Sequence, residues 1–293
     1  MMGTSIIPVD LLNPGQVFAC LGFLEAADLL CGPAEGGFVW EAETDTLARF
    51  ALTAAGSKAP VAAIVSFLRQ ATVSACVPAG SPLRAKEPGV DTIELEAGVF
   101  PCREPDTPSA LPAMLACGGS PERLVVDHWA DGSSRDTLKF WAGMAGYSGA
   151  ALVRDMLEQI AAWPEDVTAA AISDPFNASA LQSSSLRFDL RKDYVAIGLG
   201  FTVNAHPSMA IVGYPLVEVL AAVGLSHARP HRIDKLHYRY GVIGEVVPPP
   251  FARAALGGAT APFRTRRFSM RLLWPGQEGQ ARAISFAEEE MSR

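Results

Sequence analysis

Apolar positions recur along this chain with two different periods, that of a helix over the first two-thirds and that of a strand over the last third. In NPGQVFACLGFLEAADLLCGP, Val17, Cys20, Leu21, Leu24 and Ala27 fall on one helical stripe. Asn13 is placed to cap the helix, Pro14 to fill its first position, and Gly32-Pro33 to stop it. A second helix is predicted over Pro60 to Gln70, with Ile64, Val65 and Leu68 inward. A third starts after Ser148, buries Leu152, Val153, Met156, Leu157 and Ile160, and ends before Pro164. YPLVEVLAAVG makes a fourth, with proline in its first turn and Gly224 at its end. Between the first two helices, and again from Val77 to Leu111, the chain is rich in Pro, Gly and charge, with one alternating stretch at Ile93, Leu95, Ala97 and Val99.

Alternation by twos dominates the C-terminal third. Leu186, Phe188 and Leu190 alternate with Arg187, Asp189 and Arg191. Leu236, Tyr238, Tyr240 and Val242 alternate with His237, Arg239 and Gly241, and Phe268, Met270 and Leu272 with Arg267, Ser269 and Arg271. Three such segments predict an antiparallel sheet with one apolar face and one arginine-bearing face. VPPP at 247 to 250 reads as a stiff turn or sheet edge. The expected fold is α+β, an antiparallel sheet with packed helices, in one compact unit spanning 1–285 with two subregions and an acidic tail at 286–293.

The subregions differ in charge. Residues 1–179 carry 10 Lys and Arg against 22 Asp and Glu, whereas 180–285 carry 13 against 6, so a net charge of -7 conceals a basic C-terminal region. Such asymmetry points to a polyanion surface or to a solvated face. The five cysteines, all within the first 117 residues and none in a C-x-x-C pair, suit buried or idle thiols better than a disulfide framework or zinc site. No apolar run of about 18 residues and no basic leader is apparent, which sets the cytoplasm as the default and no membrane as a partner.

Enzymatic signatures are sparse. DHWADGSSRDTLKFWAGMAGYSG offers Asp127, His128, Asp131 and Asp136 as ligands for a metal-dependent nuclease. The same run could pin a loop, or present Lys139 with Phe140 and Trp141 to nucleic acid or a protein. His227, His231 and His237 cluster, but Arg229, Arg232, Lys235 and Arg239 around them oppose a divalent cation. No G-x-S-x-G elbow, P-loop or dinucleotide fingerprint occurs. No catalytic residue, cofactor or metal is therefore expected. What remains is recognition of a sugar-phosphate backbone by arginine forks and neutral donors. The predicted contact face is Arg187, Arg191, Lys192, Arg239, Arg267 and Arg271, with His237 and Lys139. The strand aromatics lie on the opposite face, so backbone contact is expected rather than base readout.

Five stretches carry a family likeness: NPGQVFACLGFLEAADLL, DHWADGSSRDTLKFWAGMAGYSGAAL, QSSSLRFDLRKDY, VGYPLVEVLAAVGLSHARP and WPGQEGQAR. In this order, from Pro8 to Ile284, the chain resembles the small CRISPR-associated protein of subtype I-U (I-G) systems, of the divergent group assigned to the large-subunit position of type I effector complexes. The resemblance implies a non-catalytic subunit of a crRNA-guided surveillance complex in antiviral defence. Its implied partners are crRNA, target DNA, the backbone and crRNA-processing subunits, and a helicase-nuclease. It brings no catalytic residues. The chain is much shorter than typical large subunits. A purely structural adaptor that binds partner subunits through apolar patches stays open as an alternative.

Overall fold

The structure is a computed structural model and describes residues 2–57, 59–130, 147–182, 184–191, 211–259, 262–274 and 282–290. Its centre is helix α1 (Pro14–Cys31), which is buried on nearly every side rather than along one stripe. By length and composition α1 could cross a membrane, against the expectation that no run is long enough, but 83% of it is buried inside the fold. Asn13 precedes it in extended conformation without capping it. Its amide donates instead to Asp189 Oδ1 at 2.9 Å, across 176 residues of chain.

Strands β1 (Gly3–Asp10), β2 (Ala34–Val39) and β3 (Leu47–Ala54) form an antiparallel sheet in the order β1-β3-β2. Helix α1 joins β1 to β2 with β3 inserted between them, a split βαβ arrangement. Ile7, Val9, Phe38, Phe50 and Leu52 face the core. Helix α2 (Pro60–Gln70) has the bounds the periodicity predicts and leads into β4 (Ala71–Pro78). A second sheet has the order β5-β4-β6-β7, with β5 (Asp91–Leu95) parallel to β4, and β6 (Ala113–Cys117) and β7 (Arg123–Val126) antiparallel. Strand β5 stops at Leu95, short of the predicted Ala97 and Val99.

Helix α3 (Gly149–Ala161) is capped as predicted, Ser148 Oγ accepting from Ala151 N at 3.1 Å. Helix α4 (Glu165–Ser173) follows, then a two-stranded pairing of β8 (Ala180–Gln182) with β9 (Ile211–Gly213). Helix α5 (Pro215–His227) runs past Gly224, its predicted end, and that glycine serves packing instead. A Cβ on Gly224 would stand 2.2 Å from the Phe18 carbonyl oxygen, and one on Gly22 would strike the Leu220 carbonyl, so the two glycines let α1 and α5 touch backbone to backbone.

The last sheet is antiparallel, in the order β10-β11-β12-β13, from β10 (His231–Arg232), β11 (His237–Ile243), β12 (Thr265–Leu273) and β13 (Ala283–Glu289). Tyr238, Tyr240, Phe268 and Met270 fill its inner face, as the alternation predicts, and the Tyr240 hydroxyl donates to the Leu11 carbonyl at 2.7 Å. Val247 bridges Gly36 at the edge of β2, as an edge segment would, but Pro248 to Pro250 go on differently. They open helix α6 (Pro249–Leu256), where prolines suit a first turn. The acidic end from Phe286 to Glu289 belongs to β13 and is not a separate tail. The five cysteines form no disulfide.

The third predicted strand is absent. Leu186 and Phe188 are buried as expected, but Asp189 is equally buried, and Arg187 adopts a positive φ of 66°. Residues 184–191 run as an irregular loop whose Phe188 and Asp189 amides donate to Glu218 Oε1 of α5, at 3.1 and 3.3 Å, where a strand would donate to a neighbouring strand.

Candidate nucleic-acid interface

Register places His237, Arg239 and Gly241 of β11 opposite Arg271, Ser269 and Arg267 of β12, all on the face away from the core. The predicted arginine face exists on these two strands, yet most of its charge is already matched. Arg239 Nε lies 2.5 Å from Glu290 Oε2, and Glu288 of β13 stands opposite Ser269. Arg267 lies in the same half-buried row, its carbonyl accepting from Glu290 N at 2.8 Å. Where the sheet reaches Gly241, helix α6 covers it; the Ala255 carbonyl oxygen is 2.4 Å from where a Gly241 Cβ would be.

Other cations of the basic region are matched by acids of the N-terminal region. Arg253 makes two bonds of 2.6 Å to Glu25 of α1, and Arg264 reaches Glu43 in the β2–β3 connection. Arg266, facing inward, pairs with Glu289 at 2.6 Å. The charge asymmetry along the sequence is thus partly an internal pairing of two subregions. It does not leave one solvated acidic half beside one open basic half.

Arg191 is a further correction. Its guanidinium is bonded to Asp189, to Asn177 Oδ1 at 2.7 Å and to the Phe176 carbonyl at 2.6 Å, and it lies 3.6 Å from the Tyr214 ring centroid. It neutralises a wholly buried carboxylate and ties the 184–191 loop to the body of the protein. Arg187, on the same loop, approaches the last sheet with its carbonyl, which accepts from Ile284 N at 3.4 Å. Lys139 and Lys192 lie outside the described residues, as do Asp131 and Asp136.

One end of the last sheet is different. There His237 and the exposed Arg271 face each other, with Asp234 Oδ2 at 3.9 Å from Arg271. Lys235 from the β10–β11 turn and Arg282 from the start of β13 both lie over the ring of Trp274, at 4.9 and 5.9 Å from its centroid. Arg282 also donates to the Lys235 carbonyl at 3.4 Å. Burial pushes the Tyr238 phenol upward, against the fields of Arg282 and Arg232. Arg232 Nε donates to the Asp234 carbonyl at 3.3 Å, so Arg232 and Arg271 stand beside Asp234 while Lys235 and Arg282 stand at Trp274. Of these, the contact face expected from sequence included only Arg271 and His237. The signal for the others was the basic run HARPHRIDKLHYRY, weighed there as a metal site, and the WPGQEGQAR stretch, used there for the likeness.

Of the alternative metal-ligand set, Asp127 and His128 are among the described residues, whereas Asp131 and Asp136 are not. The Asp127 and His128 amides both donate to Ser226 Oγ, at 3.0 and 3.3 Å. The His128 ring turns into the core between Trp129 and Phe188, at 4.8 and 5.4 Å between centroids. Burial, and the nearby Arg229 charge, push His128 down to about 3, so it is a neutral imidazole at ordinary pH. Burial pushes the Asp127 carboxyl up, against the pull of Ser226, Arg229 and His227. Among the described residues no three His, Cys, Asp or Glu side chains are grouped to hold a metal ion. Comparison with known proteins yields no matching family model, no matching curated protein and no matching solved structure.

Proposed function

We propose that this chain is a non-catalytic subunit of a type I CRISPR surveillance complex, acting in the cytoplasm, and that it holds the backbone of crRNA or target DNA at the open end of its last sheet. The observation that carries the nucleic-acid reading is the pair Lys235 and Arg282 at Trp274, next to Arg232 and the exposed Arg271 at Asp234. Guanidinium and ammonium groups that converge at a sheet end suit phosphate oxygens. The setting in a crRNA-guided complex rests on the likeness of the five sequence stretches. In such complexes guide pairing reads the sequence, and protein subunits hold backbone and flanking duplex.

A second reading, a subunit adaptor, is favoured by a different surface. On the open face of the β1-β3-β2 sheet, Ile6, Val39 and Leu47 are exposed at 49%, 42% and 76%. The test is co-purification with the products of neighbouring genes and a crRNA, comparing the parent with Lys235→Glu plus Arg282→Glu. A variant that joins the complex but no longer binds target DNA supports the nucleic-acid reading. A variant that binds normally refutes these contacts, and a parent that never joins refutes the subunit reading.

A further inference from the structure

We infer that the open end of the last sheet takes a single strand, with an unpaired nucleobase laid on the ring of Phe286. This rests on the nucleic-acid reading above and names the form of ligand it takes. The aromatics of β11 and β12, Tyr238, Tyr240 and Phe268, all point into the core and are at most 1% exposed. Phe286 of β13 does the opposite. It is 48% exposed and stands directly across from Arg271 on the outer face.

A bulge produces this orientation. Leu272 pairs with Ile284, but the next pair is Arg271 with Phe286, so Ser285 is the extra residue and its hydroxyl donates to the Arg271 carbonyl at 2.9 Å. In uninterrupted register Arg271 would face Ser285, and Phe286 would face Met270 in the core. The inserted residue thus flips one large apolar side chain from the buried face to the face that bears Arg271 and His237. Bulges commonly re-aim a side chain in this way near functional sites. An exposed ring beside cations suits a nucleotide, whose phosphate takes the charge and whose base takes the ring.

Duplex ends the match, because paired bases are stacked on both faces and cannot lie on a protein ring. The path is bounded as well. Glu288, two residues further along β13, places negative charge where a strand running along β13 would carry its phosphates, and beyond it Arg239 is already paired with Glu290. The bound strand therefore crosses β12 and β13 at the His237 and Arg271 end.

The test uses the full chain with two labelled probes, oligo-dT and the same strand annealed to oligo-dA. Phe286→Ala should weaken oligo-dT binding roughly ten-fold, the loss expected for one stacked base. It should leave the duplex affinity and the salt dependence unchanged, and Phe286→Trp should restore binding. Because Phe286 is exposed, the variant should melt with the parent. Equal oligo-dT affinity for Phe286→Ala and parent overturns the stacking inference while Arg271→Glu can still show the charge contact. Tighter parental binding to the duplex than to the single strand also overturns it. Salt-independent binding, or none to either probe, overturns the nucleic-acid reading itself and this inference with it.

Discussion

The salt dependence of binding separates the contact group at the sheet end from the broader arginine face suggested by alternation. Each phosphate neutralised on a single strand contributes about -0.7 to the slope of log K against log salt. Arg232, Lys235, Arg271 and Arg282 acting together give a slope of about -3, a loss of roughly a thousand-fold over a tenfold rise in salt. The seven Arg and Lys residues of the face read from sequence would instead give about -5. Removing charges distinguishes them further. Lys235→Gln plus Arg282→Gln should halve the slope, whereas Arg239→Gln should leave it nearly unchanged, because Glu290 at 2.5 Å already matches that charge. Anisotropy of labelled oligo-dT across a salt series reads both quantities. A slope that shifts for Arg239→Gln and not for the Lys235 and Arg282 pair would refute the assignment.

Three further outcomes test the interior. Arg191→Ala leaves the wholly buried Asp189 without its counter-charge and should cost about 3–5 kcal/mol in urea unfolding. His128 is held at about 3 in the fold against an ordinary 6.5, so the unfolded chain binds the extra proton between these values. Its contribution is complete above about pH 6.5 and is lost as pH falls, by up to about 1.4 kcal/mol per unit. His128→Phe should flatten that part of the stability profile, and an unchanged profile would refute the burial. Gly224→Ala should destabilise by about 3 kcal/mol or more through overpacking at the α1–α5 contact, while Gly118→Ala, with no atom within 4 Å, should be neutral.

The four helices with periodic apolar positions and proline-glycine punctuation were readable from sequence, because both signals are local. The first sheet was not. Its edge strands contain Pro8 in GTSIIPVD and two glycines in AEGGFV, residues that weaken strand propensity and are tolerated at edges. Gly224 was read as a stop because nothing in its own helix shows that α1 lies against it. At Leu186 to Arg191 alternation was real but its cause was not a sheet. Buried Glu218 and Asn13 supply the acceptors that a neighbouring strand would have offered.

The arginine face failed in part for a similar reason, since alternation assigns residues to a face without saying what stands across from them. Register does. It sets Glu288 opposite Ser269 and brings Glu290 to Arg239, so the acids of the presumed tail close the middle of the face. The bulge of the same strand brings Phe286 opposite Arg271, and Arg282, just ahead of the strand, lies over Trp274. Lys235 breaks the alternating pattern because it sits in a turn, and only the path of the turn lays it over Trp274. A single strand, β13, therefore both neutralises one half of the sheet and completes the cationic group at the other. The site is a product of pairing between segments about 50 residues apart, which a run of charges in one segment cannot express.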